Sequence, residues 1–394
     1  MIKNRSKNIL FINYSMGDGG TQKMFINVLM HAKTNNRKKI IYLYNNNMIE
    51  YRKKKIYYNT ARTPNRCLTK IPYRSYSITT NYGLFNIVNR LIMLIHIIRK
   101  ENIDLIFSFS TYGALLAVLA KLSFPFNKIQ ILVRLGSPFN NLFQDTRVSQ
   151  FKNKIIKSIT RSFTYRFVDN IVCTTQYMKH DLISTKYVFK KKICVIKNFI
   201  DKNHVTRLSR EKIDIKEKYI LYVGRLEKEK NVPGIISVFN KIKDEYNVNL
   251  LILGDGSLYN SILTQVKMMN LKDRVKLLGY IDNPYKYMAN AECIILFSDY
   301  EGSPNVIIEA QYCGAPVVSS KFGGVYDIIS NGRNGLLVDI KDQDELTKAV
   351  KSLLSNKSLR NKVIKGGKAS SLEYANSIIK YEALLNHYSN TTYY

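Results

Sequence analysis

Short apolar runs and intervals of helix length alternate along this chain from one end to the other. In the first half the runs are NILFINYS (8–15), IIYLYN (40–45), DLIFSFS (104–110), IQILVRL (129–135) and NIVCTT (170–175). The second half supplies YILYVGR (219–225), NLLILGDG (249–256), RVKLLGY (274–280), CIILFS (293–298), APVVSS (315–320) and GLLVD (335–339). Continuous apolar runs suit strands covered on both faces, and the intervals suit crossover helices, so the expected fold class is α/β with mainly parallel sheets. The carboxyl ends of such strands open onto the ligand site, which makes the polar residues just after each run the candidates for chemistry.

A chain of 394 residues exceeds one ordinary core and suits two domains of about 200 residues each. The expected division is a first domain at 1–200, a polar linker at 201–217 (DKNHVTRLSREKIDIKE), a second domain at 218–370 and a helical tail at 371–394 that packs back on the first domain. No internal repeat is evident.

A hydrophobic content of 45% argues for folded cores despite a net charge of +32. That charge is uneven: residues 1–200 hold 34 Lys and Arg against 7 Asp and Glu, and residues 201–394 hold 27 against 22. A basic first half suits nucleic acid, an anionic membrane or an acidic substrate. The five scattered cysteines (67, 173, 194, 293 and 313) read as buried thiols of a reducing compartment rather than zinc ligands or disulfides. The polar start and the short, Arg90-interrupted run IVNRLIMLIHII (87–98) give neither a signal segment nor a membrane span, so a cytoplasmic protein is expected.

Four stretches carry candidate chemistry. GRLEKEKN (224–231) follows a strand, so Gly224 permits close backbone approach while Arg225 and Lys230 supply two cations able to bracket a diphosphate. Gly254 and Asp255 open a tight turn in GDG (254–256). In EGSPNVIIEA (301–310), Glu301 and Gly302 precede a predicted N-cap at Ser303 and a first helical residue at Pro304, and the helix runs to about Gly314. The amides near Asn305 and Val306 would then face an anion or a sugar oxygen, and Glu309 would follow in the second turn. SMGDGGTQK (15–23) places Gly19 and Gly20 at the start of another predicted helix, with neither Walker A nor dinucleotide spacing. A glycine pair also occurs in KFGGVYDII (321–329). No Asp-x-Asp pair sits at a strand end, so no metal ligand is assigned.

Taken in order, GRLEKEKN, GDG, EGSPNVIIEA, the later GG and NGRNGLLV (331–338) resemble the retaining glycosyltransferases of family 4 over nearly the whole chain, with SMGDGG and VIKNFID (195–201) as weaker matches. The resemblance implies a GT-B fold, two Rossmann-like α/β/α domains facing across a cleft. It implies that Arg225 and Lys230 hold the donor diphosphate, Glu301 the sugar hydroxyls and Glu309 the ribose. The amides of Asn305 and Val306 would support the sugar or distal phosphate, and Gly19 and Gly20 would approach from the other domain. The catalytic set is then Arg225, Lys230 and Glu301; Gly224, Gly254, Asp255, Gly302, Ser303 and Pro304 complete the donor site.

The same resemblance implies a nucleotide-sugar co-substrate, UDP-linked at the family level, with no metal or other cofactor. The first-half segments DLIFSFSTYG and ILVRLGSPFN are similar to those of bacterial surface-polysaccharide transferases, which puts Ser110, Thr111 and Arg134 on the acceptor side. Where relatives carry a histidine in the first of these segments this chain has serines and a threonine, and Asp327 replaces the usual glutamate after the later glycine pair.

FKNKIIKSITRSFTYRF (151–167) lines up Phe151, Ile155, Ile159, Phe163 and Phe167 on one helical face among five cations. Such a helix either lies on an anionic membrane or packs on the sheet with its basic side in water. With the basic-aromatic YRKKKIYY (51–58), it frames the expected partners: a nucleotide sugar, a lipid-linked or lipopolysaccharide-type acceptor and an anionic membrane surface, on the inner face of the cytoplasmic membrane. A soluble acceptor, and more distantly nucleic-acid binding, are the alternatives.

Overall fold

The computed structural model describes residues 8–13, 20–33, 38–43, 49–52, 55–58, 66–68, 74–77, 84–123, 129–139 and 151–390. The chain forms two compact units, one of Met1–Phe199 with Ser377–Tyr394 and one of Ile200–Asn376.

In the first unit, strands β1 (Asn8–Asn13), β2 (Lys38–Leu43), β6 (Arg74–Ser77), β7 (Ile103–Ser108), β8 (Gln130–Arg134), β9 (Asn170–Cys173) and β10 (Ile193–Val195) form one parallel sheet in the order β10-β9-β8-β7-β1-β2-β6. Between β2 and β6 the chain adds a small antiparallel sheet of β3 (Ile49–Arg52), β4 (Lys55–Tyr58) and β5 (Arg66–Leu68). Its short strands escaped the sequence reading, which took part of this segment only as a charge cluster. The helices are α1 (Gly20–His31), α2 (Leu84–Lys100), α3 (Thr111–Leu122), α4 (Phe151–Phe167) and α5 (Gln176–Ser184).

Successive β7 residues alternate between cores: Ile106 joins α2, α3 and α4 on one face, while Leu105 and Phe107 join α1 on the other. That alternation is the period of a strand covered on both sides. Burial pushes the Cys173 thiol up to about 12.

The second unit contains β11 (Tyr219–Val223), β12 (Asn249–Leu253), β13 (Val275–Gly279), β14 (Cys293–Leu296), β15 (Val317–Ser320) and β16 (Leu336–Val338). All pair in parallel, in the order β13-β12-β11-β14-β15-β16. Its helices are α6 (Lys202–Ser209), α7 (Val232–Ile242), α8 (Tyr259–Met268), α9 (Tyr285–Ala289), α10 (Asn305–Cys313), α11 (Gln343–Ser355) and α12 (Lys357–Ala375). Ile220 and Tyr222 enter the core under α7, α8 and α11, and Tyr219 and Leu221 enter the core under α6, α9 and α10.

In both units the chain starts at a central strand, winds outward, then reverses and adds strands on the other side. Ligands of such sheets bind where the order reverses. In the second unit that point lies between β11 and β14.

Two boundary expectations change. The polar stretch 201–217 is not a linker: Asp201 caps α6 by accepting from the His204 amide at 3.0 Å, and Val205 is buried against the second unit's core. Its few apolar residues fall where the core needs them, which overall polarity conceals. The tail breaks at Asn376, so α13 (Ser377–Asn390) alone joins the first unit, burying Tyr381 and Leu385 with α1, and 371–376 stay with the second.

Candidate functional site

The carboxyl ends of β11, β12 and β14 bring the second-half motifs together. The Gly224 amide donates to the Leu253 carbonyl at 3.0 Å, and the Leu226 amide to the Asp255 carbonyl at 3.0 Å, which ties the first loop to the GDG turn. A β-carbon on Gly254, whose φ is +146°, would stand 1.8 Å from the Gly224 carbonyl oxygen. Only glycine satisfies both demands. Asp255 closes its own turn, its Oδ1 accepting from the Gly256 amide at 2.7 Å.

Lys230, buried at the end of a 3-10 turn, forms an ion pair with Glu301 from beyond β14. Ser298 Oγ donates to the same Glu301 oxygen at 3.4 Å, and the Asp299 amide donates to the Glu229 carbonyl at 2.8 Å. Arg225 reaches solvent on one side and pairs with Glu229 at 3.1 Å. A β-carbon on Gly324 would lie 2.0 Å from the Gly302 carbonyl oxygen, so the later glycine pair seats directly on the Glu301 turn.

The helix following Glu301 begins one residue later than expected: Pro304 is the N-cap, with φ −71° and ψ 112°, and Asn305 and Val306 open α10. Proline restricts Ser303, the residue before it, to extended conformations, which fixes the entry angle. Pro304 itself makes no side-chain cap to α10. Its positive dipole end therefore lies at the same edge as Arg225 and Lys230. Glu309 is buried in the second turn, and Gly314, at φ +86°, ends the helix.

Three groups at this edge gave no signal in the sequence. Tyr222 reads as one more apolar strand residue, yet its hydroxyl donates to the Arg225 carbonyl at 2.7 Å and shapes the turn from below. Burial, then the Glu301 charge, push its phenol up, so it stays a neutral donor. Asp299 is held above the usual carboxylate range by partial burial and by Glu229. Ser320 Oγ donates to the Ser298 carbonyl at 2.6 Å, bracing the Glu301 turn from β15. Only Glu229 had a legible cue, its four-residue spacing from Arg225.

In the first unit the expected acceptor residues serve the fold. Ser110 caps α3, accepting from the Gly113 amide at 3.1 Å, and Thr111 Oγ1 bonds the Tyr165 hydroxyl at 2.9 Å. Arg134 is 3% exposed; its Nη2 donates to Asn198 Oδ1 at 2.5 Å, its Nε to the Tyr381 hydroxyl at 3.2 Å, and its guanidinium lies over the Phe109 ring. Sequence does not show that α13 returns to cover this strand-end arginine.

Arg134→Met should therefore cost stability, by about 2 to 4 kcal/mol from the orphaned Asn198 and Tyr381 groups together. Urea denaturation measures this, and unchanged stability would return Arg134 to the acceptor side. Gly20 is exposed as the first residue of α1, and Gly19 lies outside the described residues.

Among the described residues no group of three or more His, Cys, Asp or Glu side chains is placed to hold a metal, and no helix is long and apolar enough to cross a membrane.

Comparison with known proteins now decides the family. The profile described as Glycosyltransferase Family 4 matches residues 57–204, and that described as Glycosyl transferases group 1 matches residues 206–370. The N-acetylgalactosamine-N,N'-diacetylbacillosaminyl-diphospho-undecaprenol 4-alpha-N-acetylgalactosaminyltransferase of Campylobacter jejuni is 30% identical over 263 residues, covering 66% of this chain and 70% of that protein. The chain belongs to the glycosyltransferases that these two profiles describe.

This glycosyltransferase is also 26% identical over 311 residues to an Escherichia coli UDP-Gal:alpha-D-GlcNAc-diphosphoundecaprenol alpha-1,3-galactosyltransferase, covering 74% of the chain and 78% of the relative. Its fold is that of HepE from Anabaena, solved with UDP and glucose, with a TM-score of 0.75 over 97% of this chain and 98% of the other at 16% identity. A Rickettsia africae glycosyltransferase matches with a TM-score of 0.74 over 98% and 100% of the two chains, again at 16% identity.

Proposed function

We propose that this glycosyltransferase moves a hexose or N-acetylhexosamine, with retention of anomeric configuration, from a UDP-sugar to a hydroxyl of a lipid-linked saccharide of the lipopolysaccharide or capsule-precursor kind. The observation that carries the reading is the ion pair of Lys230 with Glu301 at the strand-order reversal, beside Arg225 and the amino end of α10. A diphosphate is the ligand that two cations, glycine backbone and a helix amino end jointly suit. Glu301, once Lys230 engages phosphate, is left to accept from sugar hydroxyls, and Glu309 from the ribose. The lipid-linked acceptor is supported by the Campylobacter and Escherichia relatives, whose names specify diphospho-undecaprenol acceptors, and UDP by the ligands of HepE.

In the proposed step the bond from the anomeric carbon to the donor phosphate oxygen breaks, and the nucleotide diphosphate keeps the electron pair. Arg225 and Lys230 stabilise the charge that grows there as the sugar becomes oxocarbenium-like. The acceptor hydroxyl attacks from the face the phosphate leaves, and its proton passes to the departing phosphate oxygen. No protein nucleophile is assigned, and the bond broken is replaced by one to the acceptor oxygen. The enzyme works at the inner surface of the cytoplasmic membrane.

Incubating purified protein and native membrane extract with a panel of nucleotide sugars should put the label into the lipid fraction with the donor's anomeric configuration, by mass analysis and proton NMR couplings. Turnover should persist in excess chelator. An inverted product sinks the retaining step, a water-soluble product sinks the lipid acceptor, and loss rescued by manganese sinks metal-independent transfer.

A further inference from the structure

The first unit carries an apolar patch that the glycosyl-transfer site leaves unused. Among the described side chains of α4, Thr164 and Tyr165 are buried, and the Tyr165 hydroxyl is bonded to Thr111 on α3. Of the apolar stripe predicted from the sequence, Ile159 is 64% exposed, Phe163 38% and Phe167 41%, while Phe151 and Ile155 lie outside the described side chains. The Phe163 and Phe167 rings contact each other with centroids 4.9 Å apart. Over its described side chains, this apolar side is not spent on the sheet.

A second segment extends the patch. Lys192 Nζ donates to the Arg166 and Val168 carbonyls at 3.1 and 3.0 Å, which pins the loop after α5 to the carboxyl end of α4. That loop exposes Tyr187 and Phe189, the latter at 62%. Cations ring these aromatics: Arg166, Lys186, Lys190 and Lys191 are all exposed, and none joins an ion pair among the described residues.

Aromatic side chains held outward among unpaired lysines match the interface of an anionic bilayer, where rings sit at headgroup depth and cations meet lipid phosphate. A single aromatic in water needs no explanation, but two linked segments together expose Ile159, Phe163, Phe167, Tyr187 and Phe189 among these cations. We infer that the exposed side chains of α4 at Ile159, Phe163 and Phe167 and the loop at 186–192 dock this enzyme on an anionic phospholipid surface. The inference deepens the proposed function and rests on its lipid-linked acceptor, because docking brings the first unit to an acceptor that does not leave the membrane.

The test uses the full chain with vesicles of phosphatidylcholine alone and vesicles of equal parts phosphatidylcholine and phosphatidylglycerol. Binding is measured by flotation at low and physiological salt. The wild-type chain should float with the anionic vesicles and, less strongly, at higher salt, since screening shortens the reach of the cations. K190Q/K191Q should weaken this binding by roughly thirtyfold, the factor for removing two surface-adjacent cations, and F163S/F189S should weaken binding to both vesicle types. Because Lys190 and Lys191 are exposed, their variant should melt as wild type, and F163S/F189S, which gives up the Phe163–Phe167 ring contact, should melt only slightly lower. Both variants should keep wild-type turnover on detergent-dispersed acceptor while losing it on vesicle-embedded acceptor.

Equal binding of wild type and variants, or equal binding to neutral and anionic vesicles, overturns the inference. So does concentration-dependent dimerisation that the same substitutions abolish, which would assign the patch to a second copy. Wild-type protein that floats with anionic vesicles and transfers no sugar supports the docking face and removes the acceptor reading. Transfer to dispersed acceptor with no flotation does the reverse.

Discussion

Lys230→Met is expected to lower kcat by about 10² to 10³-fold, the loss typical of removing one charge-stabilising donor from a transfer site. The change deletes the buried cation that faces Glu301 from a turn 71 residues earlier in the chain. It also leaves Glu301 beside Tyr222 and Ser298 with no cation, so some stability is lost as well; with both partners still partly wet, that cost is about 3 kcal/mol or less. The two effects separate in the double variant. Adding Glu301→Gln removes the uncompensated charge, so stability in urea should recover while turnover should not. Single-turnover release of nucleotide gives the chemical rate directly. Near-normal release from Lys230→Met, or recovery of turnover along with stability, would show that the lysine holds the turn and nothing more.

Gly324→Ala is the second large effect. A β-carbon there would stand 2.0 Å from the Gly302 carbonyl oxygen and 3.3 Å from that of Glu301. Backbone has no rotamer to yield, so the turn that aims Glu301 must move away from Lys230. A displacement of this order costs about 10²-fold in catalysis and about 1 to 3 kcal/mol in stability. Gly254→Ala should be worse for folding, because the same kind of backbone clash, at 1.8 Å, is added to a φ of +146°. Gly332→Ala is the control: its φ is +71°, but a β-carbon meets nothing within 4 Å. It should cost only about 1 kcal/mol of backbone strain and leave turnover intact. Equal kcat/KM values for the Gly324 and Gly332 variants would mean that the glycine pair makes a turn without positioning Glu301.

Much of the site was legible because its parts are local. A buried parallel strand must end in a loop at one sheet edge, so strand-Gly-Arg, GDG and Glu-Gly-Ser-Pro each announced a place at that edge. The Ser-Pro pair announced a helix start as well, displaced by one residue because proline, which has no amide hydrogen, occupies the cap itself. The hidden parts depend on what covers them. Tyr222 in YILYV is indistinguishable by pattern from its neighbours, and only the fold puts its hydroxyl under Arg225. The stretch 201–217 reads as a linker on polarity, although Val205 and its neighbours fill a core.

By itself the sequence determined the two parallel-sheet units, the edge at which ligand chemistry gathers, and the cations and carboxylates available there, since strand periodicity and turn chemistry are set within a few residues. Tertiary structure decided which charges meet and which sides are wet. Lys230 finds Glu301, Arg134 is sealed beneath Tyr381 of the returning helix, and Ile159, Phe163 and Phe167 of α4 are exposed. Each of these outcomes turns on a partner dozens to hundreds of residues away, and a helical repeat of apolar residues states that one side differs from the other without stating which side the rest of the chain will cover.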